Sequence, residues 1–129
     1  RFLELGSGIG IFSLYISLLH ESQCNGIEIL PSFVQASQRC SHFLSLPCIF
    51  EQGDLWEINW STYDVIYLTT TTFPQDWLLR LEGKADEISL GAFLIVLTNQ
   101  IQNSNFSCVH SFVGDFSWGV ATVFIYQRT

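Results

Sequence analysis

A chain of 129 residues, 48% of them hydrophobic and 13% charged, is long enough for one domain with a substantial core. Its net charge of −7 argues against non-specific nucleic-acid binding, which needs clustered Lys and Arg; it allows attraction to basic partners and equally serves solubility. No apolar run approaches the roughly 18 residues of a membrane-spanning helix, and no secretory leader is visible.

The chain opens on Arg1 inside an apparent strand, so it is expected to be a piece of a longer protein lacking its start. Strand 1 is read at 1–5, and a helix at 11–20. Strand 2 is read at 25–29. Pro31 then opens a helix over 31–44, where an N-terminal proline is well placed. That helix is expected to bury Phe33, Val34 and Cys40. Pro47 precedes a short strand at 48–51, and strand 4 follows at 63–68. A helix at 76–88 is weakened by Gly83, and strand 5 spans 90–98. The runs Asp64-Val-Ile-Tyr-Leu68 and Phe93-Leu-Ile-Val-Leu97 suit parallel strands covered on both faces. At the end, 106–113 and 121–127 partly alternate and suggest an antiparallel pair around a loop holding Gly114-Asp115 and Trp118-Gly119. Alternating strands and helices indicate one α/β domain over 1–129, with a mostly parallel sheet.

The most informative stretch is Glu4-Leu-Gly-Ser-Gly-Ile-Gly10. Glycines between a strand and a helix let a ligand approach bare backbone at a helix N-terminus. A dinucleotide site needs G-x-G-x-x-G and welcomes phosphate; here Gly6, Gly8 and Gly10 stand at alternate positions, with Glu4 just upstream. A carboxylate there repels phosphate and accepts hydrogen bonds from an ammonium. S-adenosylmethionine carries an ammonium, a sulfonium and no phosphate. Glu28, at the tip of strand 2 and 18 residues after Gly10, is placed to take ribose hydroxyls. Its removal is expected to weaken cofactor binding and to change folding little. Asp54, after Gly53, reads by itself as a turn aspartate; the family resemblance given below implies instead an adenine contact, with Leu55 or Trp56 packing on the ring. The predicted cofactor set is therefore Glu4, Gly6, Ser7, Gly8, Gly10, Glu28, Asp54, Leu55 and Thr70, at the C-terminal edge of strands 1, 2 and 4.

These motifs resemble the class I S-adenosylmethionine-dependent methyltransferases over nearly the whole chain. The resemblance implies a Rossmann-like, mostly parallel seven-stranded sheet with an inserted antiparallel C-terminal strand and helices on both faces. Within that superfamily, Leu-Gly-Ser-Gly-Ile-Gly, Gly26-Ile-Glu28, Gln52-Gly-Asp-Leu55 and Phe116-Ser-Trp118 are most similar to the non-SET histone lysine methyltransferases of the disruptor-of-telomeric-silencing type. That likeness implies a lysine acceptor on a basic protein, reached through an aromatic channel for which Phe73 and Trp118 are the candidate walls. The chain departs from that type at Thr69-Thr-Thr-Thr-Phe73, where an asparagine-bearing run is expected, and it has no basic nucleosome-binding segment. A small-molecule methyltransferase and a non-catalytic binding module are the rival readings; a nicotinamide oxidoreductase is opposed by the glycine spacing.

No catalytic base or cysteine nucleophile stands out, so the catalytic residues stay open, and no metal is expected. Cys24, Cys40, Cys48 and Cys108 lack C-x-x-C spacing and are read as buried reduced thiols; His20, His42 and His110 are read as structural or surface residues. A cytoplasmic location is expected, or a nuclear one if the substrate is histone.

Overall fold

A computed structural model describes residues 1–129. Seven strands and three helices divide into two compact units, Arg1–Asn59 and Trp60–Thr129. No helix is long and apolar enough to cross a membrane.

The first unit runs β1 (Phe2–Leu5), α1 (Ile11–His20), β2 (Cys24–Glu28), α2 (Pro31–Phe43) and β3 (Cys48–Gln52). Its strands are parallel in the order β3-β2-β1, with Glu4 opposite Gly26 and Glu28 opposite Gln52. β1 is buried along its whole length, as an apolar strand covered on both faces must be. Gly10 starts α1 in a left-handed conformation (φ 75°) that a Cβ would strain, and it supplies no side-chain cap. Pro31 occupies the first turn of α2, where its missing N–H costs nothing. Leu14, Val34 and Phe50 form a core cluster, with Leu46 and Cys48 packed on it.

The inward face of α2 corrects one expectation. Val34, Ser37 and Ser41 are buried, whereas Phe33 and Cys40 are exposed. Positions 34, 37 and 41 share one helical face, and Phe33 lies about 100° away from Val34. Ser41 donates to the Leu46 and Cys48 carbonyls, and Ser37 suits the buried face because α2 passes close to the glycine loop there. A Cβ on Gly10 would stand 2.8 Å from the Ser37 Cβ. The cysteines are free, but only Cys24 is fully buried; Cys40 and Cys108 are exposed. Burial pushes the Cys24 thiol up to about 12, with the neighbouring Cys48 adding to the effect.

The second unit runs β4 (Val65–Thr69), α3 (Gln75–Ala85), β5 (Phe93–Leu97), β6 (Phe106–Phe116) and β7 (Gly119–Arg128). Its strand order is β4-β5-β7-β6. β4 and β5 are parallel, and β7 is antiparallel to both of its neighbours, so the last strand is inserted as expected. Ile66, Leu68, Leu81, Leu94, Val96 and Leu97 are fully buried in this unit. Gly83 lies inside α3, which ends earlier than the sequence suggests, at Ala85.

The terminal hairpin is longer than its sequence pattern indicates. Phe116 pairs with Gly119, leaving only Ser117 and Trp118 in the turn. Gly114 and Asp115, read as loop, belong to β6. A Cβ on Gly114 would meet the Phe116 ring at 3.2 Å and the Phe112 ring at 3.8 Å. A glycine here makes room for two aromatic neighbours on its own face rather than breaking the strand.

Candidate functional site

Three chain segments of the first unit are laced together at the C-terminal ends of its strands. The Ser7 amide donates to the Ile27 carbonyl at 2.9 Å, and the Gly53 amide donates to the Glu28 carbonyl at 3.0 Å. These bonds bring the glycine loop and the Asp54 turn to the end of β2. Glu28 completes the joint: Oε2 accepts from the Gly8 amide at 2.8 Å, and Oε1 accepts from the Leu30 amide at 2.9 Å. One carboxylate thus holds the glycine loop on one side and the entry to α2 on the other.

The backbone of that loop faces open space. Gly6 and Gly8 have φ of 67° and 54°, and a Cβ on either would meet nothing within 4 Å. Gly10 is different, because its Cβ would stand 2.5 Å from the Phe50 ring. Two glycines therefore leave a surface bare, and the third lets the loop rest on the core. Ser7 is buried, and its Oγ has no hydrogen-bond partner. It is turned toward Gly26, whose Cβ would stand 2.8 Å from it.

Glu4 lies buried below the loop. Its Oε2 accepts from the Ser13 amide at 3.0 Å and from the Ser13 hydroxyl at 2.6 Å. The amide is one of the orphan donors of the first turn of α1, so Glu4 caps from a neighbouring strand the helix that Gly10 leaves uncapped. Burial pushes the Glu4 carboxyl up to about 7, and the two Ser13 bonds hold it from rising further. Asp54 is half-buried, and its Oδ1 accepts from the Trp56 amide at 2.9 Å in a turn of its own. Leu55 beside it is half-buried.

The predicted set thus gathers in the first unit for Glu4, Gly6, Ser7, Gly8, Gly10, Glu28, Asp54 and Leu55. Thr70 lies in the second unit. It is fully enclosed there, its hydroxyl donates to the Leu97 carbonyl, and Asn99 Nδ2 donates to its carbonyl at 2.8 Å. Its one hydroxyl hydrogen ties the end of β4 to the end of β5. Thr71 and Thr98 join their hydroxyls at 2.7 Å in the same way. Phe73 is half-buried and edge-on to Trp77, with ring centroids 5.1 Å apart. Trp118 is 55% exposed in the hairpin turn and stacks on Phe116, so it is not core filler.

Sequence reasoning missed Ser13, Ser37 and Phe50. Ser13 was legible as a polar residue among apolar helix neighbours, but nothing in the sequence named its partner. Ser37 and Phe50 shape the glycine loop through packing alone.

No protein-family model matches the chain, and no curated protein sequence does. Solved structures do. An RNA methyltransferase from Salinibacter ruber, in complex with S-adenosyl-L-homocysteine, aligns at a TM-score of 0.78 and 21% identity, over 98% of this chain and 79% of that one. Magnesium protoporphyrin IX methyltransferase from Synechocystis, with bound S-adenosylmethionine, aligns at 0.79 and 15%, over 99% of this chain and 69% of that one. A tRNA methyltransferase of B. subtilis aligns at 0.78 and 16%, over 99% and 59%. The fold is the Rossmann-like class I methyltransferase fold. Within it, Glu28 stands where the second strand ends, and its bonds reveal a role in folding that its sequence position does not.

Glu28→Ala is accordingly expected to lower stability by about 1–2 kcal/mol, since two backbone amides lose their acceptor. This revises the expectation that folding would change little. Urea unfolding checks it: a midpoint unchanged from the parent chain would show that water replaces Glu28 without cost.

Proposed function

We propose that this domain binds S-adenosylmethionine in the glycine cleft of the first unit and transfers its methyl group. One observation carries the reading: Glu28 is pinned against the bare backbone of Gly8, and a second carboxylate, Glu4, lies buried below the same loop. The donor set fits this cofactor. It offers carboxylates for hydroxyls and for an ammonium, and no basic side chain for a phosphate. Glu28 would hold the ribose hydroxyls with the lone pairs its two amide bonds leave free. Glu4 would hold the ammonium, and Asp54 with Leu55 the adenine.

When bound, the cofactor supplies a methyl group already activated by a sulfonium. The chain's own task is alignment and exclusion of water. The acceptor we infer is a basic amine, in the finer form a lysine side chain of a basic protein. Two features of the second unit support it. Phe73 follows β4, whose Thr69 is level with Leu97 of β5. Leu97 is also level with Val123 of β7, so the hairpin runs on past that level to Trp118. Both aromatic residues therefore belong to the same end of the unit's strands, and aromatic faces favour a cationic ammonium. The net charge of −7 is compatible with the same partner.

Calorimetry with S-adenosylhomocysteine is expected to give saturable binding. No heat and no thermal shift at millimolar ligand would overturn the cofactor reading. Radiolabelled methyl transfer to lysine-rich peptides is expected above background. Turnover of a small hydroxyl or carboxyl acceptor instead would keep the enzyme and remove the amine, and binding without turnover of any acceptor would favour a non-catalytic module.

A further inference from the structure

We propose that Ser13 is the positioning residue for Glu4, fixing one carboxylate oxygen so that the other is presented to the cofactor's ammonium group. This rests on the methyltransferase reading of the glycine cleft.

The geometry is one-sided. Both bonds from Ser13, the amide at 3.0 Å and the hydroxyl at 2.6 Å, end on the same oxygen, Oε2. Oε1 makes no hydrogen bond within the first unit. A carboxylate held by two donors on one oxygen cannot turn that oxygen away without losing both. Ser13 is itself fully buried, in the first turn of α1, on the face that also buries Leu14 and Ser17. A buried hydroxyl is unfavourable without a partner, and this one has a single hydrogen, which goes to Glu4. An alanine would serve the helix better. The serine is therefore explained by the acid, and the acid by what it must hold.

The surroundings favour a cationic ligand over an internal partner. The two bonds to Glu4 both come from Ser13, and burial opposes its ionised form. The titratable side chains packed nearby in the first unit are the thiols of Cys24 on β2 and Cys48 on β3; the N-terminal ammonium of Arg1 acts on Cys24 but makes no bond to Glu4, whose two hydrogen bonds both come from Ser13. Burial keeps Cys24 neutral, and the Cys48 thiol donates to the Ser13 carbonyl at 3.7 Å. Neither thiol supplies a positive charge. An arriving ammonium would supply it, and Ser13 keeps the carboxylate ready by favouring its charged form.

The test compares two probes at pH 6, 7 and 8.5 by calorimetry. S-adenosylhomocysteine carries the ammonium; methylthioadenosine shares the nucleoside and lacks it. For the parent chain, affinity for S-adenosylhomocysteine should rise from pH 6 to 8.5, while that for methylthioadenosine stays level. Ser13→Ala should weaken S-adenosylhomocysteine about tenfold at pH 7 and clearly less at pH 8.5, with methylthioadenosine within about twofold. Glu4→Gln should make the profile flat. Equal losses for both probes, or a pH profile that Ser13→Ala leaves in place, would make Ser13 merely structural and overturn the proposal. If the parent chain binds neither probe, the cofactor reading itself has failed. Should Ser13→Ala fold poorly, Ser13→Cys, a weaker donor of similar size, is expected to shift the profile in the same direction, and an unshifted profile would overturn the proposal equally.

Discussion

Glu4→Gln is expected to stabilise the protein at pH 8 by about 3 kcal/mol and, on the proposed function, to weaken its binding of S-adenosylhomocysteine. An ordinary glutamate titrates near 4.5, and burial raises Glu4 to about 7. Between these values the folded chain binds more protons than the unfolded one. Stability from this group is therefore fully present below about 4.5 and is lost as the pH rises through about 7. Each unit of difference corresponds to about 1.4 kcal/mol, which gives the figure above once the carboxyl is fully ionised. Glutamine keeps the shape, can still accept from Ser13 through its carbonyl, and never ionises. Urea unfolding from pH 4.5 to 8 tests this. The two proteins should differ least at the acid end and most at the alkaline end. Parallel curves would show that Glu4 ionises freely and that its burial carries no cost. The fold retains an acid it would be more stable without, the pattern expected of a residue kept for binding.

Much of this arrangement was legible in the sequence. The order of strands and helices follows from apolar runs punctuated by Pro and Gly, and Ile11–His20 was bounded by the glycine loop before it and polar residues after it. The gathering of the two carboxylates and the glycines was legible because the glycines follow one apolar strand directly and Glu28 ends the next. What escaped notice depends on distances between elements remote in sequence. Thr70 looked like a ligand-facing hydroxyl because it lies past the C-terminal end of strand 4, where ligands sit in open α/β sheets, yet its hydroxyl bonds the carbonyl of Leu97, 27 residues away. Phe33 and Cys40 were assigned to the core by their apolar character. The close passage of α2 over the glycine loop instead selected Ser37 for that face, and Ser41 bonds the Leu46 and Cys48 carbonyls. The hairpin was underestimated because Gly114 resembles a loop residue until the rings of Phe112 and Phe116 are seen beside it.

The glycines of the loop should separate into two kinds when each is changed to alanine. Gly10→Ala is expected to cost about 2–4 kcal/mol, the sum of a strained backbone and an overpacked core. Its φ is 75°, and its Cβ would stand 2.5 Å from the Phe50 ring and 2.8 Å from the Ser37 Cβ. Phe50 is a buried member of the cluster with Leu14 and Val34, so its ring has little room to withdraw. Gly6→Ala and Gly8→Ala meet only the backbone strain, since nothing lies within 4 Å of either Cβ. They should cost about 1–2 kcal/mol each. Binding should fall in all three, but for different reasons: Gly6 and Gly8 because a methyl group stands where the ligand approaches, and Gly10 because the loop itself moves. A double variant separates these causes. Phe50→Leu removes the ring, so Gly10→Ala should be less damaging in that background, with a coupling of about 1 kcal/mol or more between the two sites. If Gly10→Ala costs no more than Gly6→Ala, or if the two changes at Gly10 and Phe50 are simply additive, the loop does not rest on Phe50 and its shape is set by its own backbone.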